Sequence, residues 1–467
     1  MRRTTTTRAA RASETRRRPG LRRLRWIAIG AGLLAAGTGA AWLAWGGLLQ
    51  TRARADANAL DASGATDEAL ARAAVDGDPR ERTRAVEALR ARGPAGHAAL
   101  MRVHAGAVEA LRRAPDRDDP RVARLRRALD RVSGQRDGHA SGLYWHTDLD
   151  AARREAARTG KPILSLRLLG RLDEELSCAN SRYFRVVLYS NPRVAARLRD
   201  AFVLHWSSER PAPRITIDMG DGRRIVRTIT GNSVHYVLDA AGRPVDTLVG
   251  LYSPVGFTRA LDEALEARDA CPGANAECLA RVHAEQLGAQ RQRWARRRER
   301  DPALPTWGEA IRSLPGAPSD EAPSARAAMP LTVGKARIET PALGLLDRLP
   351  VPTRTPAVDW HRVGVLADGA EPLPARTRAL LRLKTGRDDV DATARRLAEV
   401  ALADGARNEV LFRRRIHRWF ARQRPHTRDR ASLNRRVYAE LLLTPADDPW
   451  LGLRADDLYD GVELPGD

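Results

Sequence analysis

The sequence predicts an α/β central domain between all-α flanking regions, preceded by one N-terminal transmembrane helix. An uncharged, apolar run of 24 residues, Trp26 to Leu49, is long enough to cross a bilayer as a helix. Helix-like and strand-like segments alternate between residues 143 and 270, which is typical of an α/β domain. Helical periodicity dominates residues 56–135 and 357–467, which predicts helical flanks.

Composition indicates a globular protein. The chain has 467 residues, of which 43% are hydrophobic and 30% charged, and this excludes a wholly disordered chain and a polytopic membrane protein. Of 80 basic residues, Lys161, Lys335 and Lys384 are lysines and the other 77 are arginines, a bias that resembles GC-rich bacterial coding. Acidic residues are interleaved with the arginines, so the net charge of +22 is weak evidence for nucleic-acid binding.

The charges around the apolar run predict its orientation. Residues 1–25 carry ten arginines against Glu14 alone, and positive charge stays on the cytoplasmic side. We therefore expect a cytoplasmic basic tail at 1–25, a membrane-spanning helix at 26–49 and a periplasmic or extracytoplasmic body, in a single-pass inner-membrane protein that is not expected to bind nucleic acid. A cleaved export signal ending near Ala55-Asp56-Ala57 is the alternative, but a signal core is usually about 7 to 15 residues, so the anchor is favoured.

Residues 56–135 predict a helical spacer. Asp78-Pro79-Arg80-Glu81 places a capping residue, a proline in the first turn and an acidic residue at a helix start. The stretch from Asp76 to Arg90 resembles one unit of a HEAT-type repeat, but a single unit is equally compatible with a plain membrane-proximal spacer.

The central region, residues 143–270, predicts the order helix, strand, helix, strand, followed by two hairpins and a closing helix. The first hairpin pairs Arg214–Asp218 with Arg223–Ile229 across Asp221-Gly222, since Asp-Gly favours a tight turn. The second pairs Val234–Leu238 with Pro244–Val249.

Four pieces of this region resemble thioredoxin-like (thioredoxin_7-type) domains. They are Trp145 with the helix leading to Thr159-Gly-Lys-Pro162, the strand followed by Cys178-Ala-Asn-Ser181, the stretch Asn191–Val203, and Val234–Pro244 with Gly250. The resemblance implies that Cys178 begins the helix after the first strand. There, the helix end and unpaired backbone N–H groups favour a thiolate.

The same resemblance makes Cys178 and Ser181 the candidate catalytic residues. Arg182 and Arg185 would favour the thiolate, and the carboxylates of residues 173–175 would oppose it. The family's second cysteine is Ser181 here, so a resolving thiol is missing, and Ser233 stands where the family places a cis-proline.

The remaining cysteines predict a disulfide. Cys271 and Cys278 flank six residues that include a Pro-Gly turn, and an exported chain meets oxidising conditions. A basic helix is expected at 271–300, in which Arg291–Arg300 forms a solvated face, then a Pro-rich linker at 301–356. In the helical region 357–467, residues Phe412, Ile416, Trp419 and Phe420 share one helix face, and the turn-rich tail from Leu443 is expected to wrap over a groove.

No cofactor or metal is predicted. His146, His205 and His235 could meet on one sheet face, but they lack the close spacing of a metal signature. Phosphate-binding loops, dinucleotide fingerprints, nucleophile elbows and haem attachment motifs are all missing from the sequence.

These features predict a membrane-anchored, extracytoplasmic, thioredoxin-like adaptor that holds protein partners in the cell envelope without catalysis. The alternative is thiol–disulfide exchange, or capture of a client thiol, through Cys178. The sequence does not identify a client, and it leaves the question of enzymatic activity open, with a thiol–disulfide oxidoreductase as the only enzyme class it suggests.

Overall fold

A computed structural model of the chain describes residues 66–113, 119–228, 231–314 and 358–447. The described residues belong to one compact unit. The predicted basic tail at 1–25 and the predicted span at 26–49 lie outside the described residues.

The described part of the chain begins with five helices that share a small apolar core. The predicted start at Asp78 is confirmed, because its side chain accepts hydrogen bonds from the backbone of residues 80 and 81 and forms a capping box with Glu81. The core between the helices includes Leu89, Leu100 and Leu129, all fully buried. The helices are α1 (Asp67–Asp76), α2 (Pro79–Ala91), α3 (Pro94–Val103), α4 (Ala105–Arg113) and α5 (Pro120–Ser133).

A four-stranded sheet lies at the centre of the molecule in the order β2-β1-β5-β6. Strand β1 runs parallel to β2 and antiparallel to β5, and β6 runs antiparallel to β5. A separate hairpin joins β3 to β4, so both predicted hairpin pairings are confirmed. The strands are β1 (Ile163–Leu169), β2 (Val203–Arg210), β3 (Arg214–Asp218), β4 (Arg224–Thr228), β5 (Ser233–Leu238) and β6 (Pro244–Val249).

Helices from the same region connect and cover the strands. Gly160, in the left-handed conformation, ends the helix before β1, a position that glycine adopts without strain. These helices are α6 (Gly138–Ser141), α7 (Leu149–Thr159), α8 (Ala179–Tyr183) with a π-helical continuation (Phe184–Leu188), α9 (Pro192–Ala201) and α10 (Pro254–Ala270).

The C-terminal helices complete the core. One apolar cluster runs from Leu143 to Leu442 and contains side chains of the sheet and of the last helices together. The predicted apolar face is confirmed, since Phe412, Ile416 and Phe420 are buried in this cluster and Trp419 packs against it, partly buried. The elements are a 3₁₀ turn (Pro272–Ala274), α11 (Ala276–Arg300), α12 (Trp307–Arg312), α13 (Trp360–Asp368), α14 (Ala375–Thr385), α15 (Asp391–Asn408), a π turn (Glu409–Arg413), α16 (Arg414–Ala421), a 3₁₀ turn (Pro425–Arg428), α17 (Arg430–Arg436) and a π turn (Val437–Leu441).

The predicted fold class, an α/β thioredoxin-like central domain with all-α flanking regions and an N-terminal transmembrane helix, is wrong. Helices make up 63% of the structure and the sheets are small. The alternating signals in residues 143–270 suggested a domain organised by its sheet, whereas helices from the later half of the chain bury that sheet and share its core. Within the described ranges, no helix is both long enough and apolar enough to cross a membrane.

Candidate functional site

Cys178 and Ser181 lie in one helical turn, as the sequence predicts for neighbours at this spacing. Cys178 is the N-cap residue of α8, and its Sγ lies 4.0 Å from the carbonyl oxygen of Asn232. The Ser181 hydroxyl accepts a hydrogen bond of 2.9 Å from Ser177. Both Cys178 and Ser181 are 0% exposed, so neither side chain reaches solvent.

The C-terminal segment of the described chain, residues 434–445, packs beside this site, since Tyr438 and Leu441 share its apolar core with Cys178; we call this segment the cover. Asn232 Nδ2 donates a 2.7 Å hydrogen bond to the Thr444 hydroxyl, and Tyr236 donates one of 2.9 Å to Asn434 Oδ1. Arg210 donates to the carbonyl oxygens of Thr444 and Pro445 at 3.0 and 3.1 Å. These bonds fasten the cover to the loop before β5 and to β2.

The charges expected to tune the Cys178 thiol are engaged elsewhere. Arg182 donates to the Thr228 hydroxyl at 3.0 Å. Arg185, which is 1% exposed, lies 3.4 Å from a carboxylate oxygen of Asp137. Glu175 accepts from Lys384 at 2.7 Å. The ion pairs of Arg185 and Glu175 join the segment around α8 to Asp137, which follows α5, and to α14, a structural task that does not require a reactive thiol.

Cys271 and Cys278 form a disulfide with an S–S distance of 2.03 Å. Cys271 ends α10 and Cys278 lies in the first turn of α11. The bond therefore fixes the turn between two consecutive helices, which is a structural position.

The three histidines of the sequence prediction do not meet on one face of the sheet. In the sheet register, Ser165 lies opposite His205, while the next residue, Leu166, lies opposite His235. Successive strand residues point to opposite faces, so His205 and His235 are on different sides. His205 Nδ1 is 2.8 Å from the Ser165 hydroxyl, and His146 forms a bridge with His205.

The grouping of potential metal ligands among the described residues is Asp246, His283 and His417, whose ligand atoms lie within 4.8 Å of one another. His283 Nε2 is 3.0 Å from the Val245 carbonyl oxygen, so this nitrogen carries the proton and Nδ1 is an acceptor. His417 Nδ1, 2.8 Å away, then donates to His283. Arg413 donates to Asp246 Oδ1 at 2.7 Å and supplies the positive charge that a cation would bring, so the geometry favours a hydrogen-bonded chain over a metal centre.

A buried ionic network around this chain joins the C-terminal helices to the rest of the core. Arg413 also pairs with Glu263 of α10 at 3.1 Å. Burial would lower the pKa of Arg413, but Asp246 and Glu263 outweigh burial and raise it. In the same network, Glu409 pairs with Arg293 and Arg297 of α11 at 3.2 and 2.8 Å.

Burial alone would raise the pKa of Glu409. The charges of Arg297, Arg259 and Arg293 outweigh that effect and lower the pKa to about 2. The predicted solvated face at Arg291–Arg300 is thus partly wrong, because Arg297 is 3% exposed. Sequence reasoning missed the network because its members come from separate segments that no spacing pattern connects.

Comparison of the chain with protein-family models, with curated proteins and with solved structures gave no match in any of the three. The resemblance of the region around Cys178 and Ser181 to thioredoxin-like proteins therefore stays a prediction.

Proposed function

We propose that this protein is a non-catalytic interaction module that works in an oxidising, extracytoplasmic compartment. The observation that carries the proposal is the complete burial of Cys178 in a core to which residues 434–445 contribute. The Cys271–Cys278 disulfide supports the compartment, because such bonds persist where conditions are oxidising.

Burial argues against thiol–disulfide exchange for a geometric reason. In exchange, a thiolate sulfur must reach a sulfur atom of the partner's disulfide. Cys178 is fully enclosed, and Ser181 in the same turn has no thiol with which to release a mixed disulfide. The buried cysteine packs as a small apolar residue in the core.

The β3–β4 hairpin supplies a surface for an interaction. Among the described residues, the exposed large hydrophobic side chains are Ile215, Ile217 and Met219, at 41%, 38% and 52% exposure. They alternate along β3 and its turn, and alternate residues of a strand share one face. An exposed apolar stripe of this kind is typical of a protein contact surface.

Alkylation of the native protein tests the non-catalytic assignment. With the disulfide intact, Cys178 should react with iodoacetamide far more slowly in the native state than in urea, and Cys178→Ser should leave partner binding unchanged. Fast alkylation of the native protein, with adducts that reductant releases, would identify Cys178 as a working thiol and would overturn the proposal.

Site-directed photo-cross-linking tests the interaction surface. A photo-reactive residue at position 217 should give cross-linked species in cells, whereas one at position 399, on the exposed side of α15, should not. The cross-links at 217 should persist in the Cys178→Ser background. Equal cross-linking at both positions would show that the stripe is not a specific surface.

A further inference from the structure

A basic cleft lies between the end of α16, the 3₁₀ turn and α17. Its cavity volume is about 650 Å³, within the range of sites for small ligands. Five arginines line it together with one aromatic ring: Arg415, Arg418, Arg422, Arg424, Arg436 and Trp419. We call this cavity the arginine cleft.

The positive charge of the arginine cleft is poorly compensated. Its single lining carboxylate is Glu440, which is already paired with Arg436. Within the part of the chain that the structure describes, the side chains of Arg418, Arg422 and Arg424 make no hydrogen bond or ion pair. Placing several like charges around one cavity costs free energy, and a bound anion would remove that cost.

The cleft contrasts with the buried arginine cluster around Glu409 and Asp246. Arg293, Arg297 and Arg413 each contact a carboxylate within 3.2 Å. The guanidinium groups of Arg418, Arg422 and Arg424 remain available for a ligand.

The chemistry of the lining indicates the ligand class. A guanidinium group presents two parallel N–H donors that match two oxygen atoms of a phosphate group. The buried Nε2 atom of His426 has no hydrogen-bond partner, and its ring packs edge-to-face on Trp419 at 4.8 Å. Burial, with Arg436 and Arg424, lowers the pKa of His426 to about 4, so this ring is uncharged at neutral pH and adds no charge to the cleft.

We propose that the arginine cleft binds an anion that carries phosphate groups. This site is distinct from the hairpin surface and from Cys178, and it adds a ligand to the proposed interaction module. The phosphate can belong to a soluble oligophosphate or to a phospholipid headgroup. Only a headgroup ligand would make the protein bind to vesicles that carry anionic phospholipid.

Calorimetric titration of the full chain with inorganic pyrophosphate is the first test. We expect saturable binding that weakens as ionic strength rises and that falls about tenfold or more in Arg418→Gln/Arg422→Gln, because each change removes a charge-assisted contact. The matched control is Arg80→Gln/Arg84→Gln, which removes two exposed arginines with the same spacing from α2. Equal loss in both double variants would reduce the effect to net charge and overturn the proposal.

A gain-of-affinity variant guards against simple misfolding. Glu440→Gln removes the carboxylate that faces the anion and releases Arg436, so pyrophosphate should bind about threefold more tightly. Weaker binding or no change in this variant, with the fold intact by circular dichroism, would contradict the assignment.

Co-sedimentation with vesicles distinguishes the two sources. If the ligand is a lipid headgroup, vesicles containing phosphatidylglycerol should retain more wild-type protein than phosphatidylcholine vesicles. Pyrophosphate and Arg418→Gln/Arg422→Gln should both abolish that excess. If the ligand is soluble, pyrophosphate binds in the calorimeter and the two vesicle types retain equal amounts. The site would be refuted if the protein does not bind pyrophosphate and if Arg418→Gln/Arg422→Gln does not reduce the amount of protein retained by phosphatidylglycerol vesicles.

Discussion

Replacing Glu409 with glutamine tests whether the buried ionic network holds the C-terminal helices on the core. Glu409 is 6% exposed and is the shared partner of Arg293 and Arg297. The folded state lowers its pKa from 4.5 to about 2. One pKa unit corresponds to about 1.4 kcal/mol, so ionised Glu409 contributes about 3 kcal/mol to the free energy of unfolding at pH 7.

The pH dependence of this contribution has a definite sign. A carboxyl group with a depressed pKa in the folded state stabilises the protein above its unfolded pKa, and that stabilisation disappears as pH falls towards the folded value. Glutamine resembles the protonated carboxyl group. The stability difference between wild type and Glu409→Gln should therefore be about 3 kcal/mol at pH 7, begin to shrink below about pH 4.5, and approach zero near pH 2.

Urea unfolding at several pH values, followed by tryptophan fluorescence, measures this difference. Trp294, on α11 one residue from Arg293, is 1% exposed and should report unfolding of this region. Glu399→Gln, at an exposed position of α15, is the control and should change the free energy of unfolding by less than about 0.5 kcal/mol. Two results would refute this account. The first is a Glu409→Gln loss in the free energy of unfolding of less than about 1 kcal/mol at pH 7, as for an exposed ion pair. The second is a loss that stays constant down to pH 3.

Three further predictions concern other parts of the structure. Cys271→Ser/Cys278→Ser should lower the free energy of unfolding by about 2 kcal/mol, because the disulfide closes a short loop. As a check, a reductant should lower the urea midpoint of the wild type and leave that of the double variant unchanged. The pKa of His205 is lowered by burial to about 4, so its imidazole proton signals in NMR should shift near pH 4, and titration above pH 6 would contradict its burial. Thr444→Val removes the acceptor for Asn232 and should speed alkylation of Cys178 in the native protein about fivefold; an unchanged rate would show that this bond does not hold the cover.

Local features of this fold could be predicted from sequence. The capping box at Asp78 and the Asp221-Gly222 turn each depend on residues within a few positions of one another, and so does the disulfide between Cys271 and Cys278. Such signals are read directly from neighbouring residues, because the interactions that fix them are local.

The environment of Cys178 could not be predicted in the same way. The bonds that fasten its cover join residues about 200 positions apart, as in Tyr236 to Asn434 with a separation of 198. The turn-rich tail suggested that residues from Leu443 wrap over a groove, but no spacing pattern indicated that the groove contains the candidate thiol. The ion pair between Arg413 and Asp246 also joins distant residues, 167 positions apart. No sequence pattern around either residue indicates that the two meet.

The position of the Cys178 cover near the end of the described chain has a consequence for biosynthesis. During translation, Cys178, Cys271 and Cys278 all leave the ribosome before Thr444 does. In a nascent chain that has reached Cys278, all three thiols therefore coexist without the cover that the finished fold places over Cys178. The loop between Cys271 and Cys278 is far shorter than either loop to Cys178, and closing a shorter loop costs less chain entropy. Proximity along the chain therefore favours the Cys271–Cys278 pair over either pair with Cys178, even in a chain that has not yet folded.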